Sequence, residues 1–264
     1  DILTFTIDPD EAKDFDDALS FQILNTGNYQ VGIHIADVTH YVQEQTALDD
    51  EAYHRGTSIY LVDRVIPMLP ERLSNELCSL RPHEDKLCMS VVVEIDPNAK
   101  VIRHKICRTV ICSDYRLTYR QAQDILENTN TSSFSGSNDK KLSEALHVLD
   151  TLAKQLRANR FRQGAINFES PEVHFRLNDQ GEPTEIFFHN SLDTNHLIEE
   201  FMLLANRIVA AEIGRKKKDP QSETKEPSKP FVYRAHDNPD PEKIGRLSTF
   251  INRFGLHLQT SSTS

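Results

Sequence analysis

The chain has 264 residues, 38% hydrophobic and 27% charged, with 30 Lys and Arg against 40 Asp and Glu for a formal net charge of −10. That length suits one large domain or two small ones burying about three-quarters of the unfolded surface, and the composition excludes a largely disordered chain. No apolar run approaches the roughly 20 residues that span a bilayer, and the acidic total disfavours a polyanionic partner unless a local basic path or a bound cation intervenes.

Leu3 to Ile7 reads as a strand running into an acidic loop. Ala18 to Leu24 and Tyr29 to Ala36 read as a hairpin turned by Asn25-Thr26-Gly27-Asn28. Gln45 to His54 has helical character, Thr57 to Val62 is strand-like, and Pro67 to Pro70 interrupts before a short helix at Ser74 to Leu80. The β-branched runs Leu87 to Ile95 and Val101 to Cys112 predict a second hairpin around Asp96-Pro97-Asn98. Thr118 to Glu127 predicts a helix, and Asn130 to Asn138 a Ser-rich loop. From Lys140 to Arg162, Leu142, Ala145, Leu146, Leu149, Leu152, Ala153 and Leu156 recur at the spacing of an amphipathic helix that Gly164 ends. Strands at Ala165 to Phe168, Val173 to Leu177 and Thr184 to Phe188 follow, then a helix from Asp193 to Ile213 capped by Asp193 or Thr194. Arg215 to Lys229, rich in Lys, Pro, Ser and Glu, reads as a mobile surface loop, and Asp240 to Leu256 as a last helix. Strands and helices do not alternate regularly, so the fold expected is α+β, a hairpin-rich mixed sheet packed against long helices.

Cys78, Cys88, Cys107 and Cys112 show neither CxxC spacing nor clustering with histidines, which disfavours zinc. Cys107 and Cys112, in an apolar stretch, are expected to be small core hydrophobes in a reducing, cytoplasmic compartment. Asp1 to Phe5 lack the basic start of a secretory signal.

The chemistry concentrates between Asp8 and Asp17. The stretch DPDEAKDFDD holds Asp8, Asp10, Glu11, Asp14, Asp16 and Asp17 against one cation, Lys13. Two carboxylates about 4 Å apart repel by roughly 4 kcal/mol at an effective dielectric near 20, so the cluster either splays into water or is neutralised by a cation. Phe5, Ile7, Phe15, Ala18, Leu19 and Phe21 would pull the segment against a core, which favours a hard ion with oxygen ligands, Mg²⁺ or Mn²⁺. A calcium loop fails in both registers: from Asp8, Lys13 falls where glycine is required, and from Asp14, Leu19 does. A solvated acidic face is the bland alternative. A phosphatase acting on small substrates would need a phosphate-cradling glycine loop, and the nine glycines form none.

Thr6-Ile7-Asp8-Pro9 through Ala12-Lys13-Asp14-Phe15-Asp16-Asp17-Ala18-Leu19-Ser20 resembles the signature of the RNB catalytic domain of the ribonuclease II and ribonuclease R exoribonucleases. His34-Ile35-Ala36-Asp37-Val38, Tyr60 with Ile66 to Pro70, Leu73-Ser74 through Leu80, Gly164-Ala165-Ile166 with Phe168-Glu169, and Ile198-Glu199-Glu200-Phe201-Met202 through Asn206 follow in the family's order. The likeness covers nearly the whole chain and is closer to the ribonuclease R branch. It implies 3′-to-5′ hydrolysis of single-stranded RNA to nucleoside 5′-monophosphates with one or two Mg²⁺ or Mn²⁺ ions. Asp8, Asp14, Asp16 and Asp17 match the catalytic aspartates, Asp8 and Asp17 as direct ligands and Asp14 and Asp16 as holders of water or a second ion. Tyr60 and Phe168 match the aromatics that stack on bases, and Glu199 the acid at the terminal ribose. Taken alone, Tyr60 would be a half-buried strand residue, Phe168 core, and Glu199 and Glu200 acids favoured early in a helix. His34 and Asp37 are candidates to support the acid loop from the neighbouring strand.

The family pattern continues with a Ser-Pro-Ile-Arg-Arg-Tyr-like stretch whose arginine stabilises the phosphate under attack, and with flanking oligonucleotide-binding barrels; neither occurs here. The resemblance therefore implies a partial RNB domain over residues 1–264, truncated at its C-terminal side. It would be weakly active or inactive alone, since absent electrophilic stabilisers cost about 10²-fold or more. A non-catalytic RNA-binding or regulatory module with vestigial carboxylates is the alternative.

Overall fold

The structure, a computed structural model, describes residues 2–128, 137–166, 172–178, 180–189, 191–214, 230–233 and 237–258. It falls into two compact units, Asp1–Glu212 and Ile213–Ser264. The first is built on a six-stranded mixed sheet of β1 (Leu3–Asp8), β2 (Asp17–Ile23), β3 (Tyr29–Ala36), β6 (Asp85–Ile95), β7 (Val101–Cys112) and β8 (Tyr115–Thr118), in the order β7-β6-β3-β2-β1-β8. All neighbours are antiparallel except β1 and β8, which pair in parallel from Phe5 opposite Tyr115 to Asp8 opposite Thr118. β4 (Ile59–Tyr60) and β5 (Val65–Ile66) form a separate two-residue hairpin, and β9 (Glu172–Leu177) and β10 (Pro183–His189) another.

The two-residue side-chain period sorts the sheet into two faces. Phe5, Ile7, Leu19, Phe21, Val31, Ile33, Val91 and Val93 pack on one side against α3 (Tyr119–Leu126), α4 (Ser137–Arg162) and α5 (Asp193–Gly214). The apolar positions of α4 do what their spacing demands: Leu142, Ala145, Leu146 and Leu149 are fully buried, and Leu152 and Ala153 nearly so. Each such leucine contributes about 1.5 to 3 kcal/mol of burial. α5 adds Leu197, Ile198, Phe201 and Ala205 to the same core. On the opposite face Ala18, Ala36, Cys88 and Ile111 meet Phe15 of the acid loop and Leu73, Cys78 and Leu80.

Several local expectations change. The strand-like run at Thr57 to Val62 pairs over only two residues, because Leu61 N–H bonds back to Arg64 O and turns the chain. Tyr60 consequently stands 71% exposed rather than half-buried. The short helix near Ser74 is a π-helical segment, Arg72–Leu77, whose tail bond runs from Cys78 N–H to Leu73 O. The cysteine expectation reverses: Cys78 and Cys88 are buried, whereas Cys107 is half-buried and Cys112 exposed, because β7 is an edge strand. Thr194 does not cap α5 by its side chain, since its hydroxyl donates to Tyr119 O, and Asp193 is itself helical and paired with Lys154 at 2.8 Å. After the one-turn α1 (Val38–Tyr41), α2 (Ala47–Arg55) is capped by Thr46, and α3 by a reciprocal Thr118/Gln121 box. Ala165 and Ile166 carry no strand; residues 167–168, the Ser-rich stretch up to 136 and the basic stretch 215–229 lie outside the described residues.

The second unit holds α6 (Pro241–Asn252), begun by Asp240 accepting from Glu242 N–H with Pro241 in the first turn. No described helix is long and apolar enough to cross a membrane.

Candidate metal and nucleic-acid site

The acid loop leaves β1 at Asp8 and re-enters the sheet at Asp17, and the chain fastens it from three sides. Ser79 Oγ accepts from Phe15 N–H (3.1 Å) and donates to Lys13 O (2.8 Å). Leu80 N–H bonds to Phe15 O and Ala36 N–H to Asp16 O, each at 2.9 Å. From β8, Arg116 Nη2 donates to Pro9 O (2.8 Å) and Asp10 O (3.0 Å), while its guanidinium lies 5.3 Å from the centroid of the Phe15 ring. Phe15, flanked by Asp14 and Asp16, is 9% exposed and acts as the loop's hydrophobic anchor.

The four aspartates divide into an inner and an outer pair. Asp8 is buried and Asp17 half-buried, and an oxygen of each, Oδ2, is buried without a hydrogen-bond partner. Burial raises Asp8 to about 7, helped by repulsion from Asp17 and Asp16 and opposed by Thr6 and Arg116. The Thr6 hydroxyl faces Asp8 closely enough to favour its charged form, though outside well-formed hydrogen-bond geometry. Burial and then Asp16 raise Asp17 to about 6. Asp14 and Asp16 instead line a cavity of about 830 Å³ whose far walls carry Tyr60, Arg64, Met68 and Asn75. Burial, then repulsion from Asp14, raises Asp16 as well. Tyr119, the first residue of α3, is pushed up to about 12 by burial and by the charges of Asp17 and Asp8.

Among the described residues no three His, Cys, Asp or Glu side chains stand close enough together to hold an ion as they are placed. Magnesium, however, is commonly held by one or two carboxylates, the rest of its shell being water and substrate phosphate. Two buried carboxylate oxygens without hydrogen-bond partners, on acids near enough to repel one another, meet that requirement: the residues fit a hard divalent cation.

Tyr60 is thus brought to the same cavity as Asp14 and Asp16, whereas Glu199 is not. It lies on α5, 3.3 Å from Arg160 and 3.7 Å from Arg157, and the buried Glu200 beside it receives Arg160 at 2.5 Å. Phe168 lies outside the described residues. His34 turns away from the acids: its ring bonds Ser90 Oγ (2.7 Å) and Ser20 Oγ (2.9 Å), and burial lowers its pKa to about 4. Asp37 pairs with Arg108 at 3.2 Å and accepts from Thr39 at 2.5 Å. Sequence reasoning misses Arg116, Ser79 and Tyr119, because nothing local in their surroundings marks partners that lie 64 to 111 residues away.

An acid loop held in this way between the strands of such a mixed sheet places the chain in a known class: it belongs to the RNB-domain family, which matches residues 1–263. Within that family its similarity is to ribonuclease R. Ribonuclease R 1 of Lactococcus lactis subsp. lactis is 39% identical over 260 residues, covering 98% of this chain and 30% of that protein. Ribonuclease R of Thermotoga maritima is 41% identical over 262 residues, covering 99% and 35%. Mycoplasma genitalium RNase R, solved in complex with ribose methylated single-stranded RNA, superposes with a TM-score of 0.84 at 28% identity, covering 100% of this chain and 39% of that one. The chain spans about a third of the length of the curated relatives it matches.

Proposed function

We propose that the chain is part of the catalytic domain of a cytoplasmic, metal-dependent 3′-to-5′ exoribonuclease that releases nucleoside 5′-monophosphates from single-stranded RNA. The observation that carries this reading is the pair of buried oxygens without hydrogen-bond partners on Asp8 and Asp17, at the two ends of a loop whose Asp14 and Asp16 line an open cavity together with the exposed Tyr60. In this reading Asp8 and Asp17 hold Mg²⁺ or Mn²⁺, and Asp14 and Asp16, facing the cavity, orient water or a second ion. Held by these residues, a divalent ion would supply positive charge against the phosphate and would lower the pKa of water at the site. Tyr60 offers its ring to a base, a contact worth about 1 to 3 kcal/mol that every base can make. Phe168 is assigned a second stacking position, and Glu199 the 2′-hydroxyl of the terminal ribose, which DNA lacks. Oligonucleotide-binding barrels are assigned to the length that the relatives have beyond the match, and with them much of the RNA affinity. The chain alone is accordingly expected to be weakly active.

The test is hydrolysis of 5′-labelled single-stranded RNA, by the chain alone and within a polypeptide of its relatives' length, with Mg²⁺ or with EDTA. A one-nucleotide ladder that appears only with Mg²⁺ and vanishes in Asp17→Asn while RNA binding survives supports the reading. A ladder indifferent to both sinks it. RNA binding with no ladder from either form would instead establish the non-catalytic module with vestigial carboxylates.

A further inference from the structure

We propose that Arg116 is a positioning residue for this site: its guanidinium joins the two ends of the acid loop and so sets the spacing of Asp8 from Asp14, Asp16 and Asp17. The inference rests on the reading above that the loop's aspartates hold a divalent ion, and it adds a residue from a distant strand.

The argument is geometric. Arg116 lies on β8 opposite Thr6 of β1, two residues before Asp8. One amino group, Nη2, bonds the carbonyls of Pro9 and Asp10, the residues that directly follow Asp8. The central carbon of the same guanidinium lies over the ring of Phe15, the residue between Asp14 and Asp16, 5.3 Å from its centroid. One side chain therefore touches the loop just after Asp8 and again between Asp14 and Asp16. Its Nε is buried with no partner, an unfavourable arrangement that its other contacts must offset. Lysine is not its equivalent, because an ammonium is a compact point donor that cannot bond the two carbonyls and lie over the ring through separate atoms of one planar group.

Charge alone predicts the opposite outcome from position. With the acids ionised, as a measurement well above pH 7 ensures, a guanidinium near a cation site repels the ion, so removing a mere charge would tighten metal binding. Removing a pin lets the carboxylates drift apart and loosens it.

Mn²⁺ affinity, read from the electron paramagnetic resonance signal of the free ion, separates the two for the native chain and for Arg116→Met, Arg116→Lys and Asp17→Asn, with folding checked by circular dichroism. Residues that orient metal ligands commonly cost about 10- to 100-fold in metal affinity when removed. The expected result is a loss of about tenfold or more in Arg116→Met, with only partial recovery in Arg116→Lys. Affinity equal to or tighter than native in Arg116→Met overturns the proposal, as does full recovery in Arg116→Lys. If Arg116→Met does not fold, Arg116→Lys decides: weaker binding than native supports the proposal, and equal binding overturns it. Binding that Asp17→Asn abolishes but Arg116→Met leaves intact removes Arg116 alone. Absence of Mn²⁺ binding in the native chain overturns the metal reading and the Arg116 role together.

Discussion

His34 is a base kept neutral among hydroxyls. Its two ring nitrogens are occupied by Ser90 and Ser20, Ser90 in turn contacts Thr109 Oγ1 at 2.5 Å, and a Cβ on Gly32 would collide with both Ser20 Oγ and the ring. A free imidazole takes its proton near 6.5, but this one only near 4. Between those values the unfolded chain binds more protons than the folded one, so acidification removes stability that is fully present above 6.5. The full effect is about 3 kcal/mol. Asp8 and Asp17 act in the opposite direction in the metal-free protein, since carboxyls raised to about 7 and about 6 bind extra protons in the folded state. His34→Gln separates them, because the amide keeps a donor and an acceptor for the two serines but does not titrate. Urea titrations at pH 7.5 and 4.5 should show the variant gaining roughly 2 to 3 kcal/mol on the native chain at the lower pH. A stability difference that does not change with pH rules out a neutral buried histidine.

At the scale of elements, what the sequence discloses is what repeats locally. The hairpin of β2 and β3 and that of β6 and β7 are legible because each brings alternating residues and a turn within one stretch, and α4 because its leucines keep a helical period. β8 is not legible: four residues, Tyr115 to Thr118, have no period of their own and gain their strand from Phe5 to Asp8, more than a hundred residues earlier. The acid loop shows the same division. Its aspartates and Phe15 can be read from ten consecutive residues, but Ser79 and Arg116, which hold it, cannot. Ser79 satisfies both Phe15 N–H and Lys13 O and is itself fully buried, so Ser79→Ala leaves a buried backbone donor without its partner. The expected cost is about 1 to 3 kcal/mol in urea midpoint analysis, accompanied by weaker Mn²⁺ binding. Loss of stability with unchanged Mn²⁺ affinity would mean that the loop keeps its shape without Ser79, and that the bond serves only the core beneath Phe15.

For the molecule as a whole, the net charge of −10 sets what the proposed function requires of any contact with RNA. A surface that binds single strands through phosphate contacts alone loses affinity with salt at a slope near −0.7 per phosphate neutralised. The cavity beside the acid loop offers Lys13 and Arg64, two cations, among its lining residues. A plot of log affinity against log salt concentration should therefore fall with a slope of only about −1 to −2 at constant divalent ion, 0.7 multiplied by two contacts. What remains must come from stacking, which salt hardly touches. Tyr60→Ala should lower affinity by about 1 to 3 kcal/mol at every salt concentration and leave the slope where it was. Its melting temperature should match that of the native chain, because the side chain is 71% exposed. Fluorescence anisotropy of a labelled oligoribonucleotide measures both quantities in one series. A slope of about −4 or steeper would place RNA on a basic track away from this cavity, and a Tyr60→Ala affinity equal to that of the native chain would remove the hairpin from the binding surface.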